Sequence, residues 1–284
     1  MNTLLSLGHG FSARAVASLL LSDGWRVIGT TRKPEKVAEM VISGVIPRVL
    51  PADLSDDFAL ATHLLVSAGP DGNGDPFLPD LAQVIASAPN LKWIGYLSTT
   101  GVYGDHQGGW VDETTPCTPG NTRGKWRVAA EQQWRTLGAH IFRLAGIYGP
   151  GRGPFAKVRA GTARQIIKPG QVFGRIHTDD IAQVIAASIA RPNPGRIYNV
   201  CDDAPAPPED VLGFAAELLG LPRPPKEDFE TAYMTPMARS FYMESRRVRN
   251  DRIKDELGVH LLHPDYKSGL KALLSVETNA ATRS

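Results

Sequence analysis

Two cysteines, Cys117 and Cys201, are all that this 284-residue chain has, and neither lies in a CxxC or any metal-ligand spacing. No disulfide framework is expected, and a reducing cytoplasm is the expected compartment. Charge of one sign is equally scarce. Lys and Arg number 31 against 29 Asp and Glu, a net +2 that gives no reason to expect nucleic acid or an anionic membrane as partner. No apolar run approaches the roughly 20 residues that a bilayer span needs. Repeats and low-complexity tracts are missing. No basic start and cleavage site precede Gly8, so a secretory signal peptide is not expected. With 42% hydrophobic and 21% charged residues, what remains is an ordinary globular composition. The length suits one large α/β domain, or such a domain plus a small lobe.

What is present begins with Thr3 to Leu21, TLLSLGHGFSARAVASLLL. An apolar run of strand length (Leu4, Leu5, Leu7) leads into Gly8-His9-Gly10-Phe11-Ser12-Ala13 and then an Ala/Leu-rich helical run. Strand, glycine turn and helix in this order make GxGxxA a dinucleotide fingerprint. Gly8 permits the tight turn, Gly10 lets a pyrophosphate approach the backbone, and small Ala13 lets helix and strand pack closely. The helix start at Phe11 and Ser12 offers free N–H groups and the positive end of the helix dipole to the phosphates. Trp25 to Thr30 reads as the second strand, whose end meets the adenosine ribose in such folds. An NAD site wants a carboxylate there, whereas this chain has Thr31-Arg32-Lys33. Small and then basic residues suit a 2′-phosphate. NADP is therefore the expected cofactor and NAD the alternative, with a solvated loop cation as the plain reading of Arg32.

Helix Lys36 to Ile42 and strand Val45 to Leu50 follow. Pro51-Ala52-Asp53-Leu54 ends that strand, with Asp53 where an adenine amino group could be met. A fourth strand, Thr62 to Val66, closes at Ser67-Ala68-Gly69-Pro70, small residues that let the backbone run beside a dinucleotide. The loop Asp71 to Asp75 is rich in Gly and Asp and is expected to be mobile. Helix Leu81 to Ala88 and strand Lys92 to Leu97 come next. Strands alternating with helices at this spacing predict an α/β fold, a Rossmann-type doubly wound parallel sheet. Ligands of such sheets sit beyond the carboxyl ends of the strands.

The fifth strand runs into Ser98-Thr99-Thr100-Gly101-Val102-Tyr103-Gly104, which resembles the STxxVYG segment of extended short-chain dehydrogenases/reductases, the NAD-dependent epimerases and dehydratases. The likeness continues in that family's order. Asp112-Glu113 with Pro116 and Pro119 is similar to its ExxPxxP loop, and Arg143 to Pro150 (RLAGIYGP) to its RxxxxYGP strand end. Arg175 to Ala182 (RIHTDDIA) is similar to its IHVDDxA helix start, and Tyr198-Asn199-Val200 to the strand that follows. Arg247-Val248-Arg249-Asn250 through Gly258 resembles its closing helix. The resemblance spans Thr3 to about Leu273.

The resemblance implies chemistry by a Ser/Thr of STxxVYG together with the Tyr and Lys of a YxxxK helix. Counting back four residues from Tyr103 puts Thr99 in the first role, bonding the substrate oxygen. The YxxxK helix carries a Glu eight residues after its Tyr, a place that Glu131 fits. Counting back from Glu131 gives Arg123 where Tyr would stand and Arg127 where Lys would stand. A guanidinium does not shuttle a proton at neutral pH, but it holds a carboxylate or phosphate or stabilises an oxyanion. Arg127 keeps the positive charge that would bond the nicotinamide ribose. A shifted register, Asn121 with Lys125, has the same spacing on another helix face. Tyr103 is the nearest recognisable phenol and so a further candidate for proton transfer, although the family uses it structurally.

His177 with Asp179 and Asp180 offers no third and fourth ligand at recognisable spacing, so no metal site is expected and Thr178 or Asp179 is read as a helix cap. Arg143 is read as a buried structural cation, and Trp126 and Trp134 as packing residues. Residues 1–190 are assigned to the dinucleotide-binding core, to which Tyr198–Val200 returns. Residues 191–284 are assigned mainly to a small C-terminal substrate lobe, where Arg239, Tyr242, Arg246 and Arg247 could approach an anionic or sugar-like substrate. Two functions stay open. One is an atypical oxidoreductase or epimerase acting on a small hydroxyl or carbonyl compound, and the other is a non-catalytic NADP(H)-binding redox sensor. The substrate is not legible, and a homodimer is left open.

Overall fold

The structure is a computed structural model that describes residues 1–281. Its centre is a seven-stranded sheet in which every neighbouring pair is parallel. The first five strands are β1 (Thr3–Leu7), β2 (Arg26–Thr31), β3 (Ile46–Val49), β4 (His63–Val66) and β5 (Trp93–Thr99). Across the sheet the order is Ile197–Val200, His140–Leu144, β5, β4, β1, β2, β3. The chain therefore leaves β1 toward one edge and later returns to build the other. That reversal opens a crevice beyond the carboxyl ends of β1 and β4.

The apolar run in β1 is continuous because both faces of the sheet are covered. Leu4 packs with Ala13, Val16 and Ala17 of α1 (Phe11–Ser22) and with Ile181, Val184 and Ile185 of the helix Thr178–Ala190. Leu5 and Leu7 pack on the opposite face with Phe58, Leu78, Ala130 and Trp134. Those residues come from α3 (Ser55–Leu60), α4 (Leu78–Ser87) and α5 (Thr122–Thr136), while α2 (Val37–Ile42) precedes β3. The six-residue α3 has no counterpart in the sequence reading, since so short a segment shows no clear helical period. The loop expected to be mobile is pinned where it ends. Asp75 is buried, with one oxygen accepting from the amides of Phe77 and Leu78 (3.0 and 3.1 Å) and the other from the Trp134 indole (2.7 Å).

A second cluster of apolar residues joins the helices Phe155–Arg159, Pro208–Leu218 and Tyr266–Ala281, with Phe155, Val211, Ala215 and Leu270 at its centre. Parallel two-stranded pairs tie this lobe together: Gly146–Tyr148 with Arg175–His177, and Gln165–Ile167 with Lys226–Asp228. The pair Trp110–Val111 and Arg247–Val248 links it to the loop after β5. Phe155–Arg159 joins the lobe before the chain returns to the sheet as Thr178–Ala190 and Ile197–Val200, so lobe and core interleave in sequence. Among the described residues no helix is long and apolar enough to cross a membrane.

Candidate functional site

The glycine turn lies where β1 and β4 end side by side, Leu7 paired with Val66. Gly8 has φ +75°, and its amide donates to the Thr30 hydroxyl at 2.8 Å. A Cβ on Gly8 would stand 2.8 Å from Cβ of Ala68 and 2.9 Å from its amide nitrogen, so both conformation and space require glycine. The Ser67 hydroxyl donates to the Gly8 carbonyl. Gly10 differs. It is the N-cap of α1, no side chain caps the helix there, and a Cβ would meet only the Gly8 carbonyl oxygen at 3.7 Å. Open space before uncapped N–H groups is what a diphosphate needs. Ser12 and Ala13 are buried beneath, and His9 turns inward, its Nδ1 3.1 Å from the Ser6 hydroxyl. Burial lowers the His9 pKa to about 4, with the charge of Arg14 acting in the same direction.

At the end of β2, Thr31 is buried and its hydroxyl accepts from the Lys33 amide at 3.1 Å. Arg32 is exposed and has no ion pair among the described residues. Asp53 is exposed, with Oδ1 accepting from the amide and hydroxyl of Ser55 (2.9 and 2.6 Å), and these bonds depress its pKa. Leu54 is buried behind it. Gly69 is exposed at the end of β4, and the Arg127 guanidinium lies over it, Nη2 2.4 Å from where a Cβ would stand.

That placement gives Arg127 a defined position. Its Nη1 donates to the Leu97 carbonyl at 2.7 Å and to the Tyr96 hydroxyl at 3.3 Å, across the ends of β4 and β5. Arg123, one turn earlier on α5, is exposed and reaches the lobe, Nη1 3.6 Å from the Met237 sulfur. Thr99 caps the short turn Thr100–Tyr103, its hydroxyl accepting from the Gly101 amide at 3.1 Å. Arg246 arrives from the lobe. Its Nη1 donates to the Gly104 carbonyl at 2.5 Å and pairs with Glu244 at 2.8 Å, and its Nη2 lies 3.9 Å from where a Gly101 Cβ would stand. The other lobe residues singled out in the sequence hold structure instead. Arg239 bonds the carbonyls of Phe229 and Ala232, Arg247 bonds that of Gly108, and Tyr242 packs on Phe173 and Phe229.

Tyr103 stands apart from this cleft. It is fully buried, its hydroxyl donating to Asn199 Oδ1 at 2.7 Å and accepting from Arg143 Nη1 at 3.0 Å. Burial pushes its pKa up to about 12, and does the same to Tyr96. Both hydrogen-bond roles are filled and the phenol stays protonated, which corrects its candidacy for proton transfer. The Asn121 and Lys125 register is likewise set aside. Asn121 is the N-cap of α5, accepting from Gly124 and donating to Glu244, both at 2.9 Å.

The helix Thr178–Ala190 is capped by His177 rather than by Thr178 or Asp179, its Nδ1 accepting from the Asp179 amide at 3.2 Å. His263, distant in sequence, packs against His177 with ring centroids 4.1 Å apart and its Nε2 3.6 Å from Asp179. These three side chains bring ligand-type atoms within 4.8 Å, a grouping that spacing alone did not show.

No protein-family model matches the chain. It is 30% identical to protein YeeZ of Escherichia coli K12 over 283 residues, covering 93% of this chain and 97% of that one. It is similar to the solved structure of a conserved protein of unknown function from Silicibacter pomeroyi (57% identity, TM-score 0.93, covering 97% and 99% of the two chains). A structure from Methylobacillus flagellatus described as an NAD-dependent epimerase/dehydratase shares 27% identity and a TM-score of 0.71, over 98% and 99%. With its strand order and glycine turn, the chain belongs to the extended short-chain dehydrogenases/reductases, the NAD-dependent epimerase/dehydratase family.

Proposed function

We propose that the chain binds NADP(H) at the α1 cradle and works as an atypical oxidoreductase or epimerase on a small hydroxyl or carbonyl compound. The observation that carries the cofactor reading is the end of β2, where Thr31, Arg32 and Lys33 stand in place of a ribose-binding carboxylate and Arg32 is exposed without an ionic partner. Gly8, Gly10, Phe11 and Ser12 would face the diphosphate, Asp53 the adenine, and Ser67, Ala68 and Gly69 the dinucleotide's length. When bound, the nicotinamide supplies hydride chemistry. The protein's own part is electrostatic. Thr99 orients the substrate oxygen, while Arg123 places fixed positive charge at the mouth of the cleft, where it favours developing negative charge. Arg127, held over Gly69, takes the place of the family's lysine beside the nicotinamide ribose.

One observation favours the second reading, a binding protein that reports redox state. Arg127 is already bonded to the Leu97 carbonyl and the Tyr96 hydroxyl, and the phenols Tyr96 and Tyr103 are both held protonated in the interior. Titration of NADPH and NADH tests the cofactor. Charge-assisted bonds to a 2′-phosphate contribute about 1.5–3 kcal/mol, so NADPH should bind at least roughly tenfold more tightly. Arg32→Ala should shrink that gap, and equal wild-type affinities would refute the reading. Arg123→Ala then separates enzyme from sensor. As a fixed charge at the reaction, its loss should lower turnover about 10²–10³-fold at every pH without moving the pH–rate profile. If no substrate panel gives turnover and Arg123→Ala leaves cofactor affinity unchanged, the sensor reading stands instead.

A further inference from the structure

The stretch Pro150-Gly151-Arg152-Gly153-Pro154 reads in sequence as a hinge on one side of the cleft. In the structure it is a tight, anchored turn. Gly149 and Arg152 exchange two backbone hydrogen bonds of 2.9 Å each, closing a two-residue loop of Pro150 and Gly151. Gly151 has φ +74°, and Pro before a positive-φ Gly suits a type II turn without strain. The turn is fixed from below as well. A Cβ on Gly149 would stand 2.2 Å from the Thr178 hydroxyl, so this glycine packs directly on the start of the helix Thr178–Ala190. That helix lies beside α1.

The residue this turn presents is Arg152. Its guanidinium carbon sits 5.4 Å from the centroid of the Phe11 ring, the first residue of α1. Arg14 also approaches that ring, at 6.0 Å, but its charge is taken up by Glu39. Arg152 is exposed and has no carboxylate partner among the described residues. A hydrogen-bonded turn thus holds a guanidinium without a carboxylate partner against the ring of Phe11, the first residue of α1, whose N-terminus has no side-chain cap.

We infer that Arg152 is a second diphosphate clamp, closing over the nucleoside diphosphate that the α1 turn faces from below. The inference rests on the dinucleotide reading of that turn. The Phe11 ring orients the guanidinium by stacking, and its planar fork suits a diphosphate better than a lysine would. The adenosine diphosphate moiety is the ligand class, whichever nucleotide carries it.

Calorimetric titrations of the full chain with ADP, NADPH and adenosine test this on wild type, Arg152→Ala and Arg152→Lys. Wild type should bind ADP and NADPH. Arg152→Ala should weaken both about tenfold or more, since a charge-assisted bond is lost. Arg152→Lys should recover part of the loss, and adenosine, without a phosphate, should bind all three proteins alike. The thermal midpoint without ligand should stay at the wild-type value, because the side chain is exposed and unpaired. If wild type binds ADP and Arg152→Ala binds it equally well, the clamp is refuted while the dinucleotide site stands. An equal loss for adenosine also refutes it. Failure of the wild type to bind ADP or NADPH refutes the clamp and the dinucleotide reading together.

Discussion

Removing the Arg143 guanidinium while leaving its partners in place perturbs a charge pair enclosed in the interior. Arg143 makes three hydrogen bonds to the Glu131 carboxylate, at 2.7, 3.2 and 3.2 Å, and a fourth to the Tyr103 hydroxyl at 3.0 Å. The two side chains are 5% and 4% exposed, so solvent compensates poorly for the lost donors. In Arg143→Met, Glu131 keeps only the Ser98 hydroxyl at 2.5 Å, and a carboxylate remains in the interior without its counter-charge. Breaking a buried pair from one side costs about 3–5 kcal/mol. Replacing both members with apolar residues of similar volume is far less costly, because no orphaned charge is left. The double variant Glu131→Leu/Arg143→Met should therefore lose much less stability than the two single variants summed, a coupling of about 2 kcal/mol or more. Urea unfolding followed by fluorescence and circular dichroism measures all four proteins. A loss below about 1 kcal/mol for Arg143→Met, or strict additivity in the double variant, would refute the account of this pair as an enclosed, mutually dependent unit.

The two glycines of the turn should part company. Gly8→Ala meets a positive φ and the Ala68 backbone, and should cost roughly 1–3 kcal/mol in thermal or urea unfolding. Gly10→Val should leave stability within about 1 kcal/mol of wild type yet abolish NADPH binding by calorimetry, because its side chain enters the space a diphosphate needs. Retained binding would overturn the cradle. Acid should destabilise the fold through its buried imidazoles. Burial lowers His9, His63 and His177 each to about 4, against about 6.5 when unfolded. Their contribution is complete above pH 6.5 and is lost as pH falls toward 4, on the order of 2 kcal/mol per histidine by pH 5. Unfolding free energies that stay flat from pH 7 to 5 would contradict this.

Much of the architecture was legible because its signals are local. The apolar run of β1, the glycine pair and the Ala/Leu-rich α1 sit within one stretch, and each is required by the backbone geometry of its own neighbourhood. Strands alternating with helices announced a parallel sheet, and the apolar strand around Arg143 announced a buried structural cation. That Arg123 and Arg127 stand eight and four residues before Glu131 on one helix was likewise visible by counting. What counting could not supply was the third dimension. Tyr103 looked available as a phenol, and only packing shows its hydroxyl closed between Asn199 and Arg143. Arg246 and Arg152 lie far along the chain from the residues they meet, Gly101 and Phe11, so no spacing rule links them. The same holds for the cap of the helix Thr178–Ala190, where His177 displaces the expected Thr178 or Asp179, and for His263 beside it. Local backbone preference is written in consecutive residues, whereas charge placement in a cleft depends on which distant segments the hydrophobic layers press together, and that is decided only when the core closes.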